Sequence, residues 1–336
     1  MKPITFWNPV ATAALALCLL VPMLAACGGG GGGGGGQAAS SSSPVSSLPD
    51  ISYPVNPTSA LQAIAGSAAP TETVAQAVQR LHTIVSNANE VVATDIVAFL
   101  PAQQQIRFPL SCSGIRCTGM FQGEPYYLQL NRPSSANLNE IVGYDIAEAQ
   151  LVMVHNGVNI GQIRARSNQG TADQVEALYY GGWMEHSYFA VDVSYYPSVA
   201  NPELELGVAY SAGNSTGTNP TAVAGRTATW TGSVVGGDYS SQYAGHVIHG
   251  TATVTVDFGA SNVDVEFSNL VDLNAANRSI TNMSWDNIAV SSGKFSRGSG
   301  ADQIRGQFYG PNHEEVGGAF DRNQIGGAFG AIRGTQ

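Results

Sequence analysis

The chain has 336 residues and a formal net charge of −10 at pH 7, from 14 Lys and Arg against 24 Asp and Glu. This acidic balance argues against nucleic acid as a partner, because binding to a phosphate backbone depends on Lys and Arg. Charged residues make up only 11% of the chain, so we expect a surface covered largely by Ser, Thr, Asn and Gln.

The N-terminus has the layout of an export signal. Lys2 provides a positive charge, and Val10–Leu20 is an apolar run with one threonine. The run is shorter than the roughly 20 residues that a membrane-spanning helix needs, and Pro22 interrupts its continuation. We predict that residues 1–26 are a lipoprotein signal peptide. Its removal takes away Lys2 and leaves 13 basic against 24 acidic residues, a formal charge of −11.

The signal ends in a lipobox, Leu24-Ala25-Ala26-Cys27, followed by Gly28. The thiol of Cys27 is the expected lipidation site, and by resemblance to bacterial lipoproteins the glycine after it favours the outer membrane. Residues 27–60 form the lipidated cysteine and a Gly/Ser/Pro-rich tether. A flexible coil of this length would keep the folded part about 30 Å from the membrane.

Two cysteines remain after export and lipidation. Cys18 leaves with the signal, and Cys112 and Cys117 are separated by four residues. In an oxidising compartment we expect this pair to close a small disulfide loop. A redox pair and half of a metal site are the alternatives. Redox pairs usually have two intervening residues, and no second cysteine pair or close histidine completes a tetrahedral metal site.

An amphipathic helix is predicted for Thr71–Asn89, with Thr71 as its N-cap and Glu72 in its first turn. Its polar face has one basic residue, Arg80, whereas helices on membrane surfaces are rich in Lys and Arg. We therefore expect the helix to pack on the protein. Its apolar residues recur every three or four positions: Val74, Val78, Leu81, Ile84, Val85 and Ala88.

A strand-rich module is predicted for residues 61–215, which include the helix. Short β-rich runs alternate with turn residues there, which indicates an antiparallel sheet. The predicted strands are Arg107–Leu110, Tyr126–Leu130, Gln150–His155, Gln174–Tyr180 and Phe189–Tyr195.

Residues 222–336 alternate almost perfectly between apolar and polar side chains. Ala252, Val254 and Val256 alternate with threonines, which is typical of strands with one wet face. Eight such strands close into a small barrel that its own side chains fill. Charged and hydroxyl residues would be costly against lipid, so the barrel is expected to be soluble. The predicted strands are 228–235, 246–258, 262–269, 280–285, 288–297, 303–309, 314–321 and 324–332.

The end of the chain carries a long motif punctuated by glycine. Gly306–Phe320 reads GQFYGPNHEEVGGAF, and Gly327–Ala331 reads GAFGA. The motif resembles the end of the β-barrel domain of transferrin-binding-protein-B-like surface lipoproteins, over roughly the last third of the chain. His313 departs from the family pattern, in which a small residue is expected after Asn312.

The same residues have a physical interpretation. Tyr309–Asn312 is a turn cluster, since proline fixes φ and Gly and Asn accept positive φ. Four further glycines lie in strand-like runs, where we expect the missing side chain to permit the tight curvature of a closing barrel. They are Gly317, Gly318, Gly326 and Gly327.

The resemblance implies that a strand-rich handle precedes the barrel, in the position of residues 61–215. The predicted fold class is therefore mainly β: one N-terminal amphipathic helix, a handle-like module and a soluble eight-stranded antiparallel barrel. Family members that bind transferrin have two such lobes, whereas this chain has room for one.

The densest cluster of unusual side chains is Tyr179–His186. Tyr and Trp are favoured at binding hot spots, which makes Tyr180, Trp183 and His186 the candidate ligand-binding residues. The histidine or a tyrosine could also ligate haem iron. The alternative is a strand end whose aromatic rings fill a core. His246 and His249 are three residues apart on a strand and face opposite ways, which argues against a joint metal site.

No sequence motif indicates an enzyme. Ser291–Lys294 matches Ser-x-x-Lys, but it lies in a predicted strand or turn and lacks the partner motifs of acylating enzymes. Glu314 and Glu315 are adjacent on a strand and therefore face apart, so they cannot flank one bond. We predict no catalytic residue, no bound metal and no cofactor.

The sequence therefore predicts a lipid-anchored protein of the outer-membrane surface that binds a protein or an iron source. The expected contacts are this ligand, the membrane through the lipid alone, and a TonB-dependent receptor. A haem carrier and a structural or assembly lipoprotein of the envelope are the alternatives.

Replacing Cys27 with Ser is expected to release the protein from membranes, because no other segment is apolar and long enough to hold it there. Fractionation after a high-salt wash measures this. A Cys27→Ser protein that still sediments with the outer membrane would disprove anchoring by this lipid.

Overall fold

The computed structural model describes residues 64–100, 104–121, 124–129, 140–141, 144–167, 175–196, 204–221, 227–240, 242–243, 245–275 and 278–334. The signal peptide, Cys27 and the tether lie outside these residues. Within them the chain is mainly β-strand with one helix, which confirms the predicted fold class. No helix in this described part combines the length and the hydrophobicity of a membrane span.

Helix α1 spans Val74–Asn87. Its N-cap is Thr73 and not Thr71 as expected, because the Thr73 hydroxyl accepts from the Gln76 amide at 3.3 Å while the Gln76 side chain accepts from the Thr73 amide at 2.8 Å. This capping box makes Thr-x-x-Gln the stronger start signal. As predicted, the apolar face packs on the protein; its buried residues include Ala77, Leu81, Ile84 and Val85.

The described residues of the N-terminal part contain thirteen strands. They are β1 Ser67–Ala68, β2 Glu90–Ala93, β3 Ile96–Leu100, β4 Gln104–Phe108, β5 Ser111–Ser113, β6 Arg116–Phe121, β7 Glu124–Gln129, β8 Glu140–Ile141, β9 Tyr144–His155, β10 Val158–Ser167, β11 Val175–Trp183, β12 Ser187–Tyr196 and β13 Leu204–Gly213. Ten form one sheet in the order β1-β9-β10-β11-β12-β13-β3-β4, with β2 on β13 and β8 on β9.

The other three, β5, β6 and β7, form a small sheet of their own. Cys112 and Cys117 lie directly opposite each other on β5 and β6, and a disulfide joins them. The bond links the two strands of this hairpin, as expected from the cysteine spacing.

All five strands predicted in this part overlap an observed strand, but the other eight strands were not predicted. Burial explains the omission of β13. Its residues from Ala209 to Gly213 are buried throughout. Strands covered on both faces lose the alternation by which strands are recognised.

Eight strands form the closed antiparallel barrel, in the number predicted, and each pairs with the next along the chain. They are β14 Thr227–Asp238, β15 Val247–Asp257, β16 Asn262–Asp272, β17 Met283–Ser291, β18 Lys294–Ser299, β19 Asp302–Tyr309, β20 Glu315–Arg322 and β21 Ile325–Arg333. Pairing of β14 with β21 closes the barrel.

Two predicted boundaries in the middle of the barrel are wrong. The predicted strand 288–297 is divided by the hairpin turn at Ser292–Gly293, where φ is +52° and +73°. The break predicted before it is a β-bulge instead, in which Asp286–Asn287 lies opposite Asp264 alone. The Asn287 amide donates to the Asp264 carboxylate at 2.6 Å. A residue pair typical of turns is thus accommodated within a strand.

The barrel interior is filled by its own aromatic side chains. Inward-facing glycines make room for them: a Cβ at Gly306 would lie 2.0 Å from the Phe295 ring, and one at Gly318 would lie 2.5 Å from the Phe329 ring. These glycines therefore permit ring packing across neighbouring strands. The large buried rings are Trp230, Phe267, Trp285, Phe295, Phe308, Phe320 and Phe329.

The ten-stranded sheet packs on the outer face of β20 and β21. The contact is close, because a Cβ at Gly330 would lie 2.4 Å from the ring of Phe189 on β12, and one at Gly317 would lie 2.3 Å from Ser211 Oγ on β13. The two parts share a core that includes Val152, Ile160, Phe189, Val191, Val235, Ala319 and Ala328.

His313, the departure from the family motif, fastens the segment that connects sheet and barrel. Its Nε2 lies 2.9 Å from the carbonyl oxygen of Thr218. Its own carbonyl accepts from the indole of Trp230 at 2.9 Å. The residue is 7% exposed with φ of +58°, so it is a structural part of the barrel end.

Replacing Gly330 with Ala is expected to lower the free energy of unfolding by about 1–3 kcal/mol, because the methyl group would overlap the buried Phe189 ring. Gly326→Ala on the same strand is the matched control, since its Cβ would lie 3.5 Å from Tyr239, an ordinary contact. It should change the stability by less than about 0.5 kcal/mol. Chemical denaturation compares the two, and equal midpoints would contradict the close packing.

Candidate functional site

An open groove lies between the exposed face of α1 and the turn that joins β11 to β12. Its volume is about 920 Å³. Concave surfaces of this size are where proteins commonly bind ligands. The lining residues are Thr71, Glu72, Ala75, Gln76, Gln79, Arg80, Thr83 and Asn87 on the helix side, and Asn159, Glu185 and His186 on the strand side.

The helix side is joined to the sheet by a row of three side chains. The indole N–H of Trp183, at the end of β11, donates to Glu72 Oε1 at 2.7 Å. Glu72 Oε2 accepts from Arg80 Nε at 3.2 Å. A buried indole needs an acceptor, so the pairing of Trp183 with Glu72 sets where the start of α1 lies on the sheet.

The strand side is held by a carboxylate of the barrel. Glu315 on β20 accepts hydrogen bonds from the Glu185 amide at 2.7 Å, the His186 amide at 3.0 Å and the Ser187 hydroxyl at 2.7 Å. The carboxylate is 3% exposed. Burial raises the pKa of Glu315, and these hydrogen bonds oppose the shift. The turn therefore supplies the donors that a buried carboxylate requires.

The glycine motif also contacts this turn. Gly310 has φ of +84°, and a Cβ there would lie 2.7 Å from the imidazole of His186. Its amide donates to the Asn214 carbonyl at 2.8 Å, and the Asn214 amide donates to the His186 carbonyl at 3.0 Å. Residues of the barrel motif thus shape the strand wall of the groove directly.

A second carboxylate joins barrel and sheet. Asp321 on β20 accepts hydrogen bonds from Arg107 of β4 and from the Tyr239 hydroxyl. Arg107 also donates to the Tyr239 oxygen at 2.6 Å. Burial raises the pKa of Asp321, with the two donors acting against the shift. Arg305 on β19 adds hydrogen bonds to two backbone carbonyls of the N-terminal part, at 2.9 and 2.8 Å.

The barrel loop that follows β16 is held by Asp272. Its carboxylate accepts from His246 Nδ1 at 2.8 Å and from Arg278 at 3.1 Å, and Arg278 also pairs with Asp238. Burial alone would raise the pKa of Asp272, but the hydrogen bonds prevail and lower it. Among the described residues, no group of three or more His, Cys, Asp or Glu side chains is placed to hold a metal ion.

The three candidate ligand-binding residues do not form one surface. Tyr180 and Trp183 are three apart on β11, so they lie on opposite faces of the sheet. Tyr180 is 5% exposed in the core shared with the barrel, and Trp183 is 4% exposed in the core under α1. His186 is half-buried and lines the groove. A role in ligand binding stays a prediction, with His186 placed on the candidate surface.

The sequence did not mark the other groove residues as part of a binding surface. Gln79 and Asn87 belong to the polar face of α1, and Glu185 was part of the aromatic cluster. The polar face of the helix was the available signal, but amides and hydroxyls at helical spacing are equally typical of a solvated surface. The groove depends on the turn that Glu315 fixes, which local patterning does not reveal.

The comparisons with known proteins concern the barrel first. Residues 208–333 match the family model described as C-lobe and N-lobe beta barrels of Tf-binding protein B. The resemblance read from the glycine motif is thereby confirmed for the barrel segment. No curated protein matches this chain.

Similar solved structures include transferrin-binding protein B of Haemophilus parasuis Hp5, at 14% identity and a TM-score of 0.35, covering 69% of this chain and 46% of that chain. Transferrin-binding protein B of isotype 1 from serogroup B Neisseria meningitidis has 16% identity and a TM-score of 0.28, covering 73% of this chain and 44% of that chain. The N-lobe of lactoferrin-binding protein B from Moraxella bovis has 13% identity and a TM-score of 0.31, covering 73% of this chain and 99% of that chain.

The chain thus spans about half the length of the two transferrin-binding proteins. The assignment of the barrel depends on the family model and not on these scores.

Replacing Trp183 with Ala is expected to lower the free energy of unfolding by about 3–5 kcal/mol, as for other buried tryptophans. Met120→Ala is the control, because Met120 is 62% exposed and its loss should cost less than about 0.5 kcal/mol. Urea denaturation measures both. If Trp183→Ala is as stable as the unmodified protein, the ring is not part of the core and becomes available to a ligand.

Proposed function

We propose that this protein, whose barrel segment resembles transferrin-binding protein B barrels, captures a protein ligand at the groove between α1 and the β11–β12 turn. The ligand class we favour is a protein that carries iron. The observation that carries the proposal is the hydrogen bonding of Glu315 to the turn. Glu315 belongs to residues 208–333, which the family model matches. The segment that resembles the family therefore positions the candidate binding surface.

The rigidity of the groove supports this role. Its strand wall is held by a buried carboxylate, and its helix wall by the bond from Trp183 to Glu72. Walls fixed by buried contacts lose little conformational entropy when a partner binds. The groove therefore meets the requirement of a preformed binding surface without a separate folding step.

The chemistry of the lining suits a polar protein surface. The side chains of Gln79, Asn87 and Asn159 make no hydrogen bond with any residue that the structure describes, and each can both donate and accept. Charged side chains in the lining are limited to Glu185 and the pair of Glu72 with Arg80. Amides that are free to bond in either direction can pair with the backbone and side chains of a partner.

The setting of this binding is part of the same proposal. A lipid on Cys27 would hold the protein at the outer membrane, with the tether giving the groove its reach. A binding protein fixed there would concentrate its ligand beside a TonB-dependent receptor, which would take up the iron. The proposed role is capture, and the protein is not proposed to be an enzyme.

Immobilised full-length protein should retain transferrin or lactoferrin from solution, and the double substitution Gln79→Ala with Glu185→Ala should weaken the complex. Loss of a binding hot spot costs about 2 kcal/mol, which is roughly 30-fold in Kd. The matched control is Gln242→Ala with Glu266→Ala, the same residue types exposed on the barrel. It should retain the unmodified affinity. Surface plasmon resonance gives both values.

Equal weakening in both double variants would show that the groove is not the binding surface. If the unmodified protein retains neither ligand, capture of an iron-carrying protein is wrong. A Soret band on mixing with haemin would then assign the haem-carrier role, and its absence would leave a structural role in the envelope.

A further inference from the structure

Two buried histidines meet where the sheet rests on the barrel. His155 ends β9 and His249 lies on β15; both are 0% exposed, and His249 Nε2 lies 3.0 Å from His155 Nδ1. The row continues on both sides. His249 Nδ1 lies 3.3 Å from the Tyr180 hydroxyl of β11, and His155 Nε2 lies 3.2 Å from the carbonyl oxygen of Ala65.

One pair of tautomers makes every contact of the row while both rings are neutral. The Ala65 carbonyl can only accept, so in this pair His155 carries its proton on Nε2 and accepts on Nδ1. His249 then donates from Nε2 to that nitrogen, and its Nδ1 accepts from the Tyr180 hydroxyl. Protonation of both rings would place two positive charges against each other, with the facing nitrogens 3.0 Å apart in a site closed to water.

The described groups that contact the two rings carry no charge that would offset protonation. The Ser233 hydroxyl of β14 lies 2.7 Å from His155 Nδ1, and the Asn156 amide between β9 and β10 lies 3.2 Å from its Nε2. Both groups are uncharged, as is the Tyr180 hydroxyl that β11 presents. Within the described residues no carboxylate contacts either ring, whereas His246 on the same barrel has Asp272 at 2.8 Å.

We propose that the His155–His249 pair is an acid-sensitive contact between sheet and barrel, whose protonation in mildly acidic solution opens the junction and loosens the wall of the groove. The path to the groove is β11, which carries Tyr180 in the junction and Trp183, the partner of Glu72, at the groove. The role of the groove as a binding surface rests on the proposed function. The acid-sensitive opening of the junction does not.

The sign of the pH dependence follows from the two states. Burial lowers the pKa of His155, and burial together with the neighbouring His155 lowers the pKa of His249 well below its ordinary value. In the open state both rings regain a pKa of about 6.5. The open state therefore binds more protons, and the closed state is favoured above about pH 6.5 and loses stability as the pH falls below it. Each extra proton raises the opening constant about tenfold per pH unit.

Two carboxylates of the same junction act in the opposite direction. Burial raises the pKa of Glu315 and of Asp321, so the closed state binds their protons more readily and gains stability as the pH falls. The total pH dependence is a sum of both effects. The histidine contribution therefore has to be isolated by comparing variants.

Hydrogen–deuterium exchange of the full-length protein at pH 7.5, 6.5 and 5.5, corrected for the intrinsic exchange rate, measures opening at β9, β10 and β11. His249→Gln replaces the ring by an amide that can donate and accept but does not titrate. Between pH 6.5 and 5.5 the opening constant of the unmodified protein should rise about fivefold more than that of His249→Gln, because an open-state ring with a pKa of about 6.5 is already half protonated at the upper pH. The matched control His246→Gln should retain the rise of the unmodified protein at these strands.

The measured quantity is the change of the opening constant with pH, so a lower starting stability of His249→Gln does not affect it. His155→Gln provides a second test, in which the extra rise at low pH should be lost in the same way. The same rise in all proteins would overturn the proposal. A rise that depends on His249 in a protein that captures neither transferrin nor lactoferrin would leave the acid-sensitive contact standing and remove only the proposed binding function.

Discussion

The close packing of the sheet on β20 and β21 is the contact on which the rest of the molecule depends. Along both strands the side chains alternate in size as well as in direction. Ala319 and Ala328 face the sheet, while Phe320 and Phe329 face the barrel interior. Two strands thereby contribute to two cores at once. Small outward residues let the sheet approach closely enough for Glu315 and Asp321 to reach their partners in it.

This contact buries more polar groups than packing alone would require. Glu315, Asp321, His155 and His249 are all at most 3% exposed. Removing such groups from water is costly, and their mutual bonds offset the cost only in the right geometry. A shift of the sheet along β20 and β21 by one residue would leave these groups without partners. The polar groups therefore select one docking arrangement, while the apolar core supplies the attraction.

The barrel could be predicted because one face of most of its strands is wet, so that Val254 and Val256 alternate visibly with threonines. The sheet could be predicted only in part, since its central strands are covered by α1 on one face and the barrel on the other. Tyr180 and Trp183 fall in one cluster of the sequence, but a spacing of three on a strand places them on opposite faces of the sheet.

The groove and the histidine contact had no local signature. Glu315 lies 130 residues after Glu185, and His155 lies 94 residues before His249. Nothing in the neighbourhood of either residue indicates its partner. Such contacts form only in the tertiary fold, whereas short segments of the sequence are enough to specify helix caps and strand alternation. The motif Gly306–Phe320 was informative because its glycines lie where other parts of the fold pack closely against the strand. A single short segment therefore indicates a tertiary contact.

The start of the described chain determines how the protein would respond to force. Residues before Ile64 connect it to Cys27, while β1 pairs with the end of β9 through only two residues, one of which is His155. Tension between a membrane anchor and a captured ligand would enter the fold at this edge, where the pairs separate one after another. The barrel is closed and offers no such edge. Under load the molecule should therefore yield first where β1 pairs with β9, with the barrel intact.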